Sequence, residues 1–435
     1  TEAALWATRA IVAAFLLLAW SYALLVPPWE SRDEPAHFRF VVHLVERSSL
    51  PVQGRDVFGE EHQAPLYYLL AAVPLGLVDL QDRSGEFRWN REFAWGGGET
   101  KMAREAEGEP GELRGHGLAL RIVRLLSVLL ATATVALTAR LTALVAARAP
   151  WAGPIAAALV AFNPQFLFLS GAANNDNLLN LCFTASLLQL VLLTREEGPP
   201  GLGRSLWLGL WLSAALLAKS SALTLLPLTG FAFFLRLRSG APWCAVARAA
   251  GATAMVVACV SGWWFTRNHV LYGDPLGLRP FRAALVGARP AEAGELLALL
   301  DLQFRSFWGV FGWMTVPAPR WFYGIALAVS SASLAVVAAM AASTSRLSPS
   351  QRRCLALLGT AAIGQYVFQA FGIASFGPSW AQGRYLFASL PSVAALVGVA
   401  CSVVLPVHLQ RVAAAGVVAL LLPFAWYLLV AVIRP

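Results

Sequence analysis

A few short polar clusters interrupt a chain that is otherwise strongly apolar. Asp33, Glu34 and His37 fall within one helical turn of P-P-W-E-S-R-D-E-P-A-H-F-R-F, and Glu61, His62 and Gln63 open the run E-E-H-Q-A-P-L-Y-Y. Asp176 stands in S-G-A-A-N-N-D-N, Lys219 in A-K-S-S-A-L, Arg267 and His269 in W-W-F-T-R-N-H, and Arg384 in W-A-Q-G-R-Y-L-F. Carboxylates beside imidazoles are proton-transfer groups, and lysine and arginine hold phosphate oxygens. Asp33, Glu34, His37, His62, Asp176 and His269 also offer oxygen and nitrogen ligands to a divalent metal ion. Each group has a plainer reading as well. Acids ahead of Pro35 suit the first turn of a helix. Asp176 after Asn174 and Asn175 could simply start a helix, and arginine at a membrane edge is often an anchor.

The elements that position these groups are set by composition. The 435 residues are 58% hydrophobic and 13% charged, with mean hydropathy +0.61. Soluble domains carry about 25% charge, so this chain cannot coat a soluble surface, and disorder needs the opposite composition. What remains is an all-α polytopic membrane protein forming one membrane domain, and the net charge of +9 is no nucleic-acid signal in that setting. A span needs roughly 20 apolar residues. Eleven runs qualify, near 10–27, 118–147, 152–172, 177–194, 205–218, 220–235, 249–266, 321–343, 354–376, 385–405 and 412–433. The run 64–78 is short and carries Pro65 and Pro74, so it reads as an interfacial or re-entrant helix. The first run lacks a small-residue cleavage site and is expected to be retained. Five cysteines without C-x-x-C spacing read as packing residues, which excludes a cysteine-held structural zinc.

Short arginine-rich loops mark the cytoplasmic side. With the N-terminus inside, that side holds twelve of the 33 basic residues and three of the 24 acids. The C-terminus then lies outside. The outer face takes the other acids, in a first loop over 28–117 with helices expected at 33–47 and 64–79, and a second over 272–318. The Gly- and Glu-rich part of the first loop (GGGET, EAEGEPGE) reads as mobile and solvated. Lys219, one of two lysines, separates uncharged runs of 14 and 16 residues, so the hairpin tip lies deep and its ammonium either snorkels or binds phosphate. S-F-W-G-V-F-G-W-M (306–314) is either an aromatic belt or a wall for a sugar or isoprenoid.

In this order, from about residue 25 to 392, the motifs resemble the GT-C superfamily of lipid-linked glycosyltransferases, which includes protein O-mannosyltransferases and lipid A aminoarabinose transferases. The resemblance rests on the acidic pair after the first span, on H-Q-A-P-L-Y-Y as a K-P-P-L-Y-Y type motif, on Asp176 in the second outer loop and on the lysine of A-K-S-S-A-L. Gln63 stands where that motif has lysine. The resemblance implies a GT-C fold in a bacterial cytoplasmic (inner) membrane and a polyprenyl-phosphate sugar donor. It implies Asp33 as catalytic base, assisted by Glu34 and Asp176. It implies donor and lipid-phosphate contacts at His37, His62, Gln63, Tyr67, Lys219, Arg267, His269 and Arg384, with a divalent metal at Asp33, His62, Asp176 and His269 as an open option. The reaction would be an inverting single displacement on the outer face, with the acceptor (glycan, lipid or protein) unspecified. The absence of any Walker or Rossmann glycine loop and of a soluble α/β domain disfavours nucleotide-sugar chemistry. A flippase would want polar residues through the bundle, and the mid-membrane runs are nearly charge-free. A non-catalytic assembly subunit is the other alternative.

Overall fold

The computed structural model describes residues 2–56, 58–93, 101–103, 113–146, 149–284, 289 and 291–433. Most of the Gly- and Glu-rich stretch expected to be mobile lies outside the described residues, as does Arg148. The helices are α1 (Glu2–Leu25), α2 (Glu34–Arg47), α3 (Leu66–Leu75), α4 (Gly115–Val145), α5 (Ala152–Ala161), α6 (Pro164–Ser170), α7 (Asp176–Arg195) and α8 (Leu202–Ala218). They continue with α9 (Leu225–Arg238), α10 (Trp243–Tyr272), α11 (Leu278–Ala284), α12 (Leu296–Trp308), α13 (Arg320–Ala342), α14 (Pro349–Phe376), α15 (Leu390–Val404) and α16 (Val407–Leu428). A two-stranded antiparallel hairpin, β1 (Val310–Phe311) and β2 (Val316–Pro317), pairs Val310 with Pro317 and Phe311 with Val316.

Among the described residues nine helices are long and apolar enough to cross a membrane, or ten if the bent pair α5–α6 is one span. The chain is therefore a multi-pass membrane protein. The count of eleven expected from hydropathy is not reproduced, for two reasons. The run 152–172 is broken by a 67° bend, where Asn163 caps α6 and Pro164 occupies its first turn. The run 205–218 forms α8, which has only 17 residues. Helix α3 has 10 residues, about 15 Å, half of what a span requires.

Among the nine long helices α7 is the most enclosed and α13 the least, and the short α5 and α6 are almost wholly buried. The core packs α4 against α1, α5 and α7, α8 against α7 and α10, and α15 against α5. Hydroxyls inside the bundle are satisfied locally: Thr134, Thr138 and Thr142 each donate to the carbonyl four residues earlier in α4. Water is absent there, so an unmade bond would be expensive. At one end of α7 the arginine-rich loops meet. Arg195 donates to Leu144 O, Arg204 pairs with Glu196, and Arg236 donates to Glu196 O at 2.6 Å. Asp176 lies at the other end, about 30 Å away for a 20-residue helix, with Lys219 and Arg384 beside it.

Arg384 is set by the 3₁₀ turn Gly383–Ser389 that precedes α15. Gly383 N donates to Ser306 Oγ at 2.8 Å, and a Cβ on Gly383 would strike the Phe307 backbone. Gly383→Ala is expected to destabilise the protein by about 1–3 kcal/mol. Thermal unfolding in detergent checks this, and an unchanged midpoint would contradict the packing described.

Candidate active site

The site begins where α1 stops at Pro27–Pro28. Asp33 caps α2 with φ 67, a left-handed conformation that aspartate tolerates better than most residues, and Pro35 follows in the first turn. This backbone turn sends two neighbouring carboxylates in different directions. Glu34 is wholly buried. It accepts from Arg124 Nε at 2.8 Å and Nη2 at 2.6 Å, from Trp29 N at 3.0 Å and from Ala173 N at 2.9 Å. Arg124 also donates to the carbonyl of Ala23, in the last turn of α1, and to those of Val26 and Pro27 just beyond it. Both oxygens of Glu34 are taken up in holding the loop, and unlike Asp33 it does not line the cavity.

Asp33 instead faces a cavity of about 230 Å³, shared with His37, Glu60, His62, Gln63, Lys219 and Arg384. Its carboxylate is hydrogen-bonded by Arg384 Nη2, with Arg32 Nε 3.8 Å away. Lys219 Nζ lies 2.5 Å from Asp176 Oδ1, so Asp176 stands behind the lysine. Both cations sit 5.1 Å from the ring centroid of Tyr385. Two guanidinium nitrogens of Arg384, Nε and Nη1, are buried without an acceptor. The peptide around Arg384 is tied to α14, where Gln365 Nε2 donates to Tyr385 O at 2.9 Å and Gln369 Nε2 donates to Trp380 O.

The H-Q-A-P-L-Y-Y segment does two jobs. Tyr67 is buried, exchanging a hydrogen bond with Ser127 Oγ at 2.8 Å and accepting from Asn174 N at 2.9 Å, so it docks this loop onto the start of α7 rather than lining the cavity. Tyr68 OH meets His37 Nδ1 at 2.7 Å. Gln63 Nε2 donates to Glu60 Oε2 at 2.8 Å, while its carbonyl accepts from Asn175 Nδ2 at 3.1 Å. His62 stacks on Phe281 of α11 with centroids 3.9 Å apart.

Burial raises the Asp33 pKa, but the Arg384 and Arg32 charges outweigh it and hold the carboxyl well below the usual carboxylate range. Burial pushes Glu60 up, and it pushes His37 down and His62 down to about 4, leaving both imidazoles neutral at pH 7.

Besides Tyr67, two expected donor contacts do not reach the cavity. Arg267 Nη2 donates to Pro51 O at 2.7 Å and lies over the Trp264 ring at 5.2 Å. His269 is exposed in the last turn of α10. Neither lines the cavity, and both readings are corrected. Among the described residues no three His, Cys, Asp or Glu side chains gather around one point. Asp33 is paired with Arg384 and Asp176 with Lys219. Sequence reasoning missed Arg32, Glu60, Gln365, Gln369 and Tyr385 on the cavity wall. Glu60 lies one residue before the Glu61–His62–Gln63 cluster. The glutamines at i and i+4 of α14 were the one periodic signal available for that wall.

The architecture is an all-α polytopic membrane fold. No protein-family model and no curated protein matches the sequence. Among solved structures the chain is similar to ArnT from Cupriavidus metallidurans in the apo state, with TM-score 0.54, 14% identity and coverage of 92% of this chain. It is also similar to ArnT from the same organism bound to undecaprenyl phosphate, with TM-score 0.56, 14% identity and coverage of 98%. The chain spans 60% and 73% of the lengths of those two chains.

Removing Arg124 while leaving Glu34 buried strands a charge, which costs about 3–5 kcal/mol. Arg124→Ala is expected to lower thermal stability by that amount, whereas Glu34→Gln with Arg124→Met should recover part of it. Equal stability of Arg124→Ala and wild type would contradict the clamp.

Proposed function

We propose that this chain transfers a sugar from a polyprenyl-phosphate donor to an acceptor, at the extracytoplasmic face of a bacterial cytoplasmic membrane. The supporting observation is the pair of cations in one cavity. Arg384 and Lys219 flank a single aromatic ring, each balanced by an acid, and Arg384 keeps two donors without acceptors. A phosphodiester oxygen is the ligand that such a pair suits best. Leu278, Phe281, Phe368 and Trp380 give the same cavity apolar walls for an isoprenoid and a sugar face. Likeness to a fold that binds undecaprenyl phosphate in another protein adds to this reading. The concentration of arginines at the opposite end of α7 supports an outward-facing site with the N-terminus inside.

In the reaction, the donor phosphate leaves the anomeric carbon as the acceptor oxygen arrives on the opposite face, inverting the configuration. Lys219 and Arg384 take up the charge that develops on the leaving phosphate. A carboxylate of the cavity wall receives the acceptor's proton, a task the sequence resemblance gives to Asp33. Asp33 has a second task in the resting cavity, where it holds the Arg384 guanidinium in place until phosphate arrives.

The test uses the full chain in lipid nanodiscs with a panel of radiolabelled polyprenyl-phosphate sugars and membrane extract as acceptor. Wild type is expected to transfer label from at least one donor. Arg384→Ala and Lys219→Ala are each expected to slow transfer by about 10²–10³-fold. No transfer from any donor, or transfer indifferent to both substitutions, would overturn the reading in favour of a non-catalytic assembly subunit.

A further inference from the structure

The acids around the cavity are not equivalent. Asp33 is held by Arg384, Asp176 by Lys219 and Glu34 by Arg124. Glu61 Oε1 accepts from the amides of Phe58 and Gly59. Glu60 differs from all of them. Its side chain is 13% exposed and lines the cavity, one oxygen accepts from the neutral amide of Gln63, and among the described residues no lysine or arginine lies within ion-pair distance. The nearest ring nitrogen, His62 Nε2, is 3.9 Å away. A carboxylate kept partly desolvated without a counter-ion is unfavourable, and such groups gather at functional sites.

We infer that Glu60 is the carboxylate that removes the acceptor's hydroxyl proton, while Asp33 remains the counter-ion of Arg384. This inference rests on the glycosyl-transfer reading and changes only the identity of the base. The acceptor O–H bond breaks with its proton passing to the free Glu60 oxygen, and the oxygen's electron pair forms the bond to the anomeric carbon. The bond from that carbon to the donor phosphate breaks, its electron pair leaving on the phosphate oxygen beside Arg384 and Lys219.

The environments of the two acids agree with this division. The titratable and charged groups facing Glu60 are His37, His62, Asp33 and Lys219, and burial is the largest influence, raising its proton affinity. Arg384 and Arg32 do the reverse at Asp33. A pair of carboxylates whose environments push their affinities apart separates proton acceptor from permanent anion, and a base works best with a pKa near the working pH.

The experiment measures single-turnover transfer at saturating donor, together with undecaprenyl-phosphate binding, for wild type, Glu60→Gln, Asp33→Asn and Gln63→Lys. Glu60→Gln is expected to slow transfer by about 10²–10⁴-fold, with undecaprenyl-phosphate affinity within about threefold of wild type. Asp33→Asn should act mainly on that affinity. Gln63→Lys places an ammonium beside Glu60, lowers its pKa and moves the acid limb of the pH–rate profile to lower pH. Glu60→Gln transferring within about threefold of wild type while Asp33→Asn collapses the rate would return the role to Asp33 and leave the glycosyl-transfer reading intact. Should Glu60→Gln fail to fold, an acid limb unmoved in Gln63→Lys overturns the inference. A wild type inactive with every donor removes the reading itself, and the inference falls with it.

Discussion

Arg124 is the residue on which the site end of the bundle depends. It projects from α4, and its five hydrogen bonds reach one carbonyl in the last turn of α1, two just beyond it, and both oxygens of Glu34. Glu34 in turn accepts from Ala173, just before α7. One buried ion pair therefore fixes the exit of the first helix, the start of α2 and the entry to α7 relative to one another. Asp33 and His37 on the cavity wall, and Asp176 behind Lys219, inherit their positions from that contact. The pair is enclosed enough that each charge would be strongly unfavourable alone. Because both partners are present and fully hydrogen-bonded, it provides a rigid reference at a place where three chain segments would otherwise meet through loops.

The cavity above this clamp is organised by charge balance. Two acids hold two cations against the ring of Tyr385, and a third acid, Glu60, accepts from the Gln63 amide with His62 Nε2 3.9 Å away and, among the described residues, no lysine or arginine within ion-pair distance. In the proposed reaction the cations exchange a protein carboxylate for a donor phosphate, an exchange of one anion for another that avoids desolvating a bare ammonium or guanidinium. The glutamines of α14 fix the peptide of Arg384 through its carbonyl neighbours, which keeps the guanidinium aimed without adding charge. Tyr67 and Tyr68 tie the loop that carries His62 and Gln63 to α4, to the segment before α7 and to His37.

Much of this was legible in the sequence, for a physical reason. A charge at the edge of a long apolar run must be paired or functional, so Asp33, Asp176, Lys219 and Arg384 stood out, and the structure brings all four together. The same signal misled at Arg267 and His269, because hydropathy locates the end of a helix along the membrane normal but not the direction in which its last turn faces. Glu34 was inseparable from Asp33 by type and spacing; only the left-handed backbone at Asp33 turns one carboxylate inward and the other to the cavity. Glu60 sits in a polar stretch without periodicity, where nothing but tertiary folding shows which acid keeps a free oxygen. The span count failed for a related reason, since composition does not register the bend at Asn163–Pro164 or the shortness of α8.

The central claim is that Arg384 and Lys219 form a phosphate site held ready by Asp33 and Asp176. A cryo-electron microscopy map of the full chain in nanodiscs with undecaprenyl phosphate tests it most directly. The account predicts phosphate density between the Arg384 guanidinium and Lys219 Nζ, with the Asp33–Arg384 contact loosened relative to the ligand-free map. Lipid-phosphate density seated elsewhere, with both ion pairs unchanged, would contradict it.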